Sequence, residues 1–217
     1  MPHKNRVRIY RQNQTMETCL CCCILMILDY YYRLPGGRAY PTRQMENQLY
    51  GFLGYQLQNE TVDHRFLKGT PLSAAAWFLS ERNLRTAIYH SEGEMLCNTL
   101  WGAPYYPAEI FPYILEKYKY WLQLGEQKIE QKKCVELSDK LLKSLLDQGM
   151  LILTACVVNS EEGQVLHAVL IDSYYEGDGL VLFHVCDPAC GQYTMEKREL
   201  LKHMNTPVGV QFITIKE

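Results

Sequence analysis

With 217 residues, 47% of them hydrophobic and 21% charged, the chain can bury a full-sized core and reads as a single domain over 1–217. A formal net charge of -2 excludes the basic excess on which nucleic-acid binders depend. No apolar run reaches the length of a membrane span, and residues 1–8 lack the apolar centre of a signal peptide, so a cytoplasmic protein is expected. Nine cysteines, an odd number, are then free thiols, metal ligands or a nucleophile rather than a disulfide framework.

Val7, Arg8, Ile9 and Tyr10 alternate apolar and polar positions and predict a short strand, followed by the amide-rich run Gln12-Asn13-Gln14. A helix follows from about Thr18 to Arg33, with Leu20, Cys23, Ile24, Ile27 and Leu28 as its apolar stripe and Pro35-Gly36-Gly37 as its stop. Residues 41–54 form an amphipathic helix. The next helix runs from Leu72 to Asn83, with Thr70 as N-cap and Pro71 in first position. Leu84 to Tyr89 is a strand. Residues 94–133 are an aromatic-rich insert, and its later half, Pro112 to Lys133, predicts one long helix. Ser138 to Gln148 is helical, closed by Gly149. Three β-branched runs follow, Met150 to Val158, Val165 to Asp172 and Gly179 to Cys186, separated by Gly-containing turns that predict an antiparallel meander. A helix from Met195 to Met204 and a strand from Gly209 to Ile215 end the chain. Helices first and strands second is an α+β pattern.

Cys19 opens the first helix, where the positive end of the macrodipole favours a thiolate, the nucleophilic form of cysteine. A four-thiolate zinc site drawn from Cys19, Cys22, Cys186 and Cys190 is disfavoured. Cys21, Cys22 and Cys23 turn through roughly 100° per residue and cannot converge on one ion, so they read as core, and neither metal nor cofactor is expected. His167 lies inside an apolar strand, and Asp187 ends the next one, so adjacent antiparallel strands would set them side by side. Cys19 as nucleophile, His167 as base and Asp187 as the carboxylate that orients the ring form a thiol acyl-transfer triad. An amide from Gln14 or Gln12 would complete an oxyanion hole with the Cys19 backbone N–H.

Together these residues resemble the papain-like cysteine peptidases of the C39 type, the double-glycine leader peptidases. The likeness lies in the helix Cys19 to Leu28 followed by Tyr30-Tyr31-Tyr32, in Lys68-Gly69-Thr70-Pro71-Leu72, in Gly149 to Val158 leading to His167-Ala168-Val169-Leu170, and in Asp187-Pro188-Ala189 with Gly191. It implies a papain-like α+β fold, its nucleophile helix packed on a C-terminal antiparallel sheet. It also implies cleavage of a peptide bond after a Gly-Gly-like pair in a precursor peptide, with any transporter a separate partner. Two positions depart from the family pattern. Leu20 replaces the glycine that usually follows the nucleophile, and Asn13 stands where the family glutamine lies, between the candidates Gln12 and Gln14. Two other functions fit the same residues: an acyl- or peptidyltransferase passing a Cys19 thioester to an amine, and a leader-binding module without catalysis.

Overall fold

The computed structural model describes residues 7–12, 18–33, 43–54, 69–91, 111–134, 136–160, 163–206 and 209–217. These form helices α1 (Cys19–Tyr32), α2 (Arg43–Leu53), α3 (Leu72–Ser80), α4 (Phe111–Leu124), α5 (Asp139–Asp147) and α6 (Lys197–Met204). The strands are β1 (Arg85–His90), β2 (Ile129–Lys133), β3 (Leu151–Ser160), β4 (Gly163–Gly177), β5 (Leu180–Asp187), β6 (Gly191–Glu196), β7 (Asn205–Thr206) and β8 (Gly209–Lys216). The main sheet has the order β2-β1-β8-β3-β4-β5-β6, and β7 pairs with β8. Only the β1–β2 pair among them is parallel. The fold is α+β.

Strand alternation divides the core between two faces. Leu151, Leu153, Ala168, Leu170, Ile213 and Ile215 meet α1, α2, α3 and α4. Their neighbours Ile152, Val169, Ile171 and Phe212 meet Leu142, Leu145 and Leu146 of α5 and Leu200 and Met204 of α6. Helix α1 is correspondingly apolar nearly all round, with every residue from Leu20 to Leu28 buried. It ends at Arg33, whose left-handed φ of 44° lets its N–H reach the Asp29 carbonyl.

The helical half is not separate from the sheet. β1 and β2 lie on the same sheet as the meander because the last strand, β8, inserts between β1 and β3. The long helix expected over Pro112 to Lys133 stops at Leu124. Gly125 carries the reversal: its carbonyl accepts from both Lys128 and Ile129 at 2.8 Å. A Cβ at Gly125 would lie 2.1 Å from Ile129 Cδ1, so a larger residue would push the Ile129 side chain aside where the chain folds back into β2. Residues 191–196 form β6, which the sequence reading left between a turn and a helix, and α6 starts at Lys197 rather than Met195. α3 is shorter than expected, ending at Ser80, and Pro71 rather than Thr70 occupies its N-cap position. Val7 to Tyr10 joins no ladder; side chains hold it instead. Ser138 caps α5 by accepting from Leu141 N–H at 3.3 Å, and Gly149 follows with a φ of 79°. The β4–β5 hairpin turns through Asp178 and Gly179, both at positive φ, as a two-residue I′ turn requires. The first residues of the aromatic insert, 94–110, lie outside the described residues, as does Gln14.

Phe212 is fully buried on β8 and stacks on Tyr89 of β1 with ring centroids 4.6 Å apart. Phe212→Ala should lower the unfolding free energy by about 3–5 kcal/mol in chemical denaturation. A loss under about 1 kcal/mol would contradict the packing of Phe212 in the core between the sheet and helices α5 and α6.

Candidate active site

Three expected residues come together. His167 lies on β4 and Asp187 ends β5, the adjacent antiparallel strand. His167 Nε2 and Asp187 Oδ1 are 2.7 Å apart, with 11% and 5% of the two side chains exposed. The Cys19 thiol lies close enough to the imidazole to add to its proton affinity. With Nε2 committed to Asp187, Nδ1 is the nitrogen left for the thiol. Cys19 begins α1, is half-buried, and its Sγ accepts from the Ala168 backbone N–H at 3.4 Å. Thiol, imidazole and carboxylate are thus a connected row.

The carboxylate is held on every side. Asp187 Oδ1 also accepts from Ala189 N–H at 2.7 Å and Cys190 N–H at 3.1 Å, bonds by which the side chain closes its own turn. Tyr193 on β6 donates to Oδ2 at 3.3 Å. Burial works against the charged carboxylate, but the His167 hydrogen bond and these backbone amides outweigh it and keep Asp187 below its usual 3.8. Burial likewise opposes the imidazolium. The hydrogen bond to Asp187 and the nearby Cys19 thiol overcome it and raise His167 from 6.5 to about 10.

The segment before the nucleophile is laid over this turn. Gln12 N–H donates to the Pro188 carbonyl at 2.9 Å, and the Arg11 guanidinium reaches the Ala189 carbonyl. Gly191, at a φ of 99°, makes room for Arg11, since a Cβ there would lie 2.7 Å from Nη2. Gln12 therefore sits beside the Asp187 turn, and its side-chain oxygen is buried without a partner among the described residues. Gln14, the first oxyanion candidate, lies outside them.

The other cysteines of α1 are core. Cys21, Cys22 and Cys23 are fully buried. Burial pushes the Cys21 thiol up to about 12 and raises Cys22 and Cys23 as well, leaving all three neutral. His184, three residues from Asp187, pairs with Asp172 at 2.7 Å through Nδ1. Asp172 was not anticipated. It is fully buried and also accepts from Val7 N–H at 2.9 Å and Ser173 Oγ at 2.7 Å, while Gln192 Nε2 donates to the Val7 carbonyl at 2.7 Å. Asp172, His184 and Cys186 have donor atoms within 4.8 Å of one another. Those atoms already serve each other and Val7, so the group is a strut that anchors the N-terminal segment. The sequence signal for it was an acidic residue inside an apolar run.

The pair His167–Asp187 gives a pH signature. Below about 6.5 His167 is protonated whether folded or unfolded, and its full contribution is present; between 6.5 and about 10 only the folded state keeps the proton, so stability falls as pH rises. The Asp187 contribution is present above 3.8 and is lost as pH falls below it. The stability difference between the native chain and His167→Gln should be largest near pH 4–6.5 and decline toward pH 10, measured by urea unfolding across that range. A difference that stays flat from pH 6.5 to 10 would contradict the pairing.

Among the described residues no helix is long and apolar enough to cross a membrane. Compared with known proteins, the chain matches no protein-family model and no curated protein, so its chemistry is argued from the site itself.

Proposed function

We propose that the chain is a papain-like cysteine peptidase of the C39 type, which cleaves a peptide bond through Cys19, His167 and Asp187. The observation that carries this reading is that one imidazole is bonded to a buried carboxylate while a helix-terminal thiol sits against the next residue of its strand and adds to its proton affinity. Buried cores seldom hold such a row for packing alone, because each polar member costs desolvation. A nucleophile helix resting on a sheet whose adjacent antiparallel strands supply the histidine and aspartate supports the papain-like architecture.

The chemistry follows from the geometry. His167 takes the Cys19 proton as the sulfur attacks the carbonyl carbon. The tetrahedral oxyanion takes a hydrogen bond from the Cys19 backbone N–H and one from the Gln14 or Gln12 amide. His167 passes its proton to the departing amine, the C–N bond breaks, and an acyl-thioester remains on Cys19. Water, deprotonated by His167, then releases the acid and restores the thiol. Asp187 holds the ring and stabilises its charge throughout. The substrate is a precursor peptide cut after a small-residue pair such as Gly-Gly, with export left to a separate transporter. The free thiols of the described cysteines suit a reducing cytoplasm.

Incubating the purified chain with double-glycine precursor peptides and weighing the products tests this. Hydrolysis at the pair is expected, with a Cys19 acyl-enzyme trapped on acid quench. Cys19→Ala and His167→Ala should each lower turnover by more than about 10⁴-fold, and Asp187→Asn by about 10²–10⁴-fold. Undiminished cleavage by Cys19→Ala would overturn the proposal.

A further inference from the structure

Glu46 is the charged residue least explained by its own helix. It lies on α2 and is fully buried, yet α2 is otherwise a surface helix whose inward positions are Leu49 and Leu53. Its carboxylate gathers two groups from the N-terminal segment and one from its own helix. Thr18 Oγ1 donates to Oε1, Arg43 Nη1 binds Oε2 at 2.5 Å, and Tyr10 OH donates to Oε2 at 3.2 Å. Cys22, in the first turn of α1, lies near the same carboxylate, whose charge helps keep its thiol protonated. Arg43 remains half exposed, so its charge is only partly desolvated by the contact.

Thr18 is the N-cap residue of α1, the position where a threonine hydroxyl ordinarily accepts from a first-turn N–H. Here it makes no such cap, because the hydroxyl is turned away to donate to Glu46. One consequence follows for the adjacent Cys19: the start of α1 is fixed against α2 through the Thr18 hydroxyl rather than left to fray. Tyr10, bound to the same carboxylate, lies two residues before Gln12, so a single buried charge ties both flanks of the amide-rich run.

We propose that Glu46 is a positioning residue, which sets the place of Cys19 against His167 through the Thr18 hydroxyl. The inference rests on reading Cys19 as the nucleophile. It goes beyond that reading in assigning a residue on another helix to the alignment of the site. Displacing a reacting group by about 1 Å can cost two orders of magnitude, so a clamp one residue from the nucleophile has leverage on rate with little change in substrate contact.

Alkylation by iodoacetamide, followed residue by residue with peptide mass mapping, separates the possibilities without any substrate. Cys190, the exposed thiol beside the Asp187 turn, is the reference within the same molecule. In the native chain Cys19 should react faster than Cys190. If it does not, the nucleophile reading fails before the clamp is at issue. Thr18→Val, which removes only the hydroxyl, and Glu46→Gln, which keeps the shape but not the charge, should each lower the Cys19 to Cys190 ratio by about tenfold and change its pH profile. Thr18→Ser should restore it. A native-like ratio and profile in a folded Thr18→Val or Glu46→Gln variant would overturn the proposal, and so would loss of folding in both, which would make the clamp purely structural.

Discussion

A buried carboxylate must be surrounded by donors or it forfeits several kcal/mol of solvation, and the described part of this chain buries Glu46, Asp172 and Asp187. Each is satisfied by groups distant in sequence. Glu46 takes Thr18 and Tyr10, Asp172 takes Val7 and His184, and Asp187 takes His167 and Tyr193. All three converge on the N-terminal segment or on the helix it feeds, directly or through the turn on which Gln12 rests. Residues 7–12 form no ladder, so these bonds do for that segment what strand pairing does elsewhere in the sheet.

The same constraint separates the reactive thiol from its neighbours. Cys21, Cys22 and Cys23 turn into an apolar core that raises their thiols and keeps them neutral. Cys19 stands at the one position of α1 where a backbone N–H from β4 and an imidazole reach the sulfur. Raised proton affinity on His167 and lowered proton affinity on Asp187 are two sides of one pairing, since each charge offsets the desolvation of the other.

Much of this was legible in the sequence, and what was not has identifiable causes. α1, α5 and the meander were readable because their apolar periods are strong and their punctuation is local: Ser138, Gly149 and Asp178-Gly179 act on their own turns. The row of Cys19, His167 and Asp187 was readable because Cys19 opens a helix while His167 and Asp187 are polar residues in or at the end of apolar strands. β2 and β6 were not, because both lie at the sheet edges with polar residues facing solvent, so β2 reads as the end of the helix from Pro112 and β6 as a turn running into the next helix. The position of β8 between β1 and β3 is a long-range pairing that no local pattern encodes. Glu46 was invisible for a different reason. A glutamate on an amphipathic helix reads as solvated, and only the tertiary approach of Thr18 and Tyr10 makes it a buried one.

The two histidine–aspartate pairs show how register decides between rival partners. β4 and β5 each contribute one histidine and one aspartate, and His184 is nearer to Asp187 in sequence than His167 is. Strand parity nevertheless forbids the nearer pair: residues 184 and 187 are an odd number apart and point to opposite faces. Asp187 shares parity with Val185 on the α5 and α6 side, whereas His184 shares it with Cys186 on the α1 side. The bulge between Ile171 and Ser173 completes the separation. It sets Asp172 and Ser173 together opposite His184, which is why two residues adjacent in sequence can bond to each other, and it gives His184 a carboxylate of its own. Among the described histidines, Asp187 is thereby left to His167. One inserted residue in β4 thus supports two separate tasks, an anchor for Val7 on one face of the sheet and an oriented imidazole for Cys19.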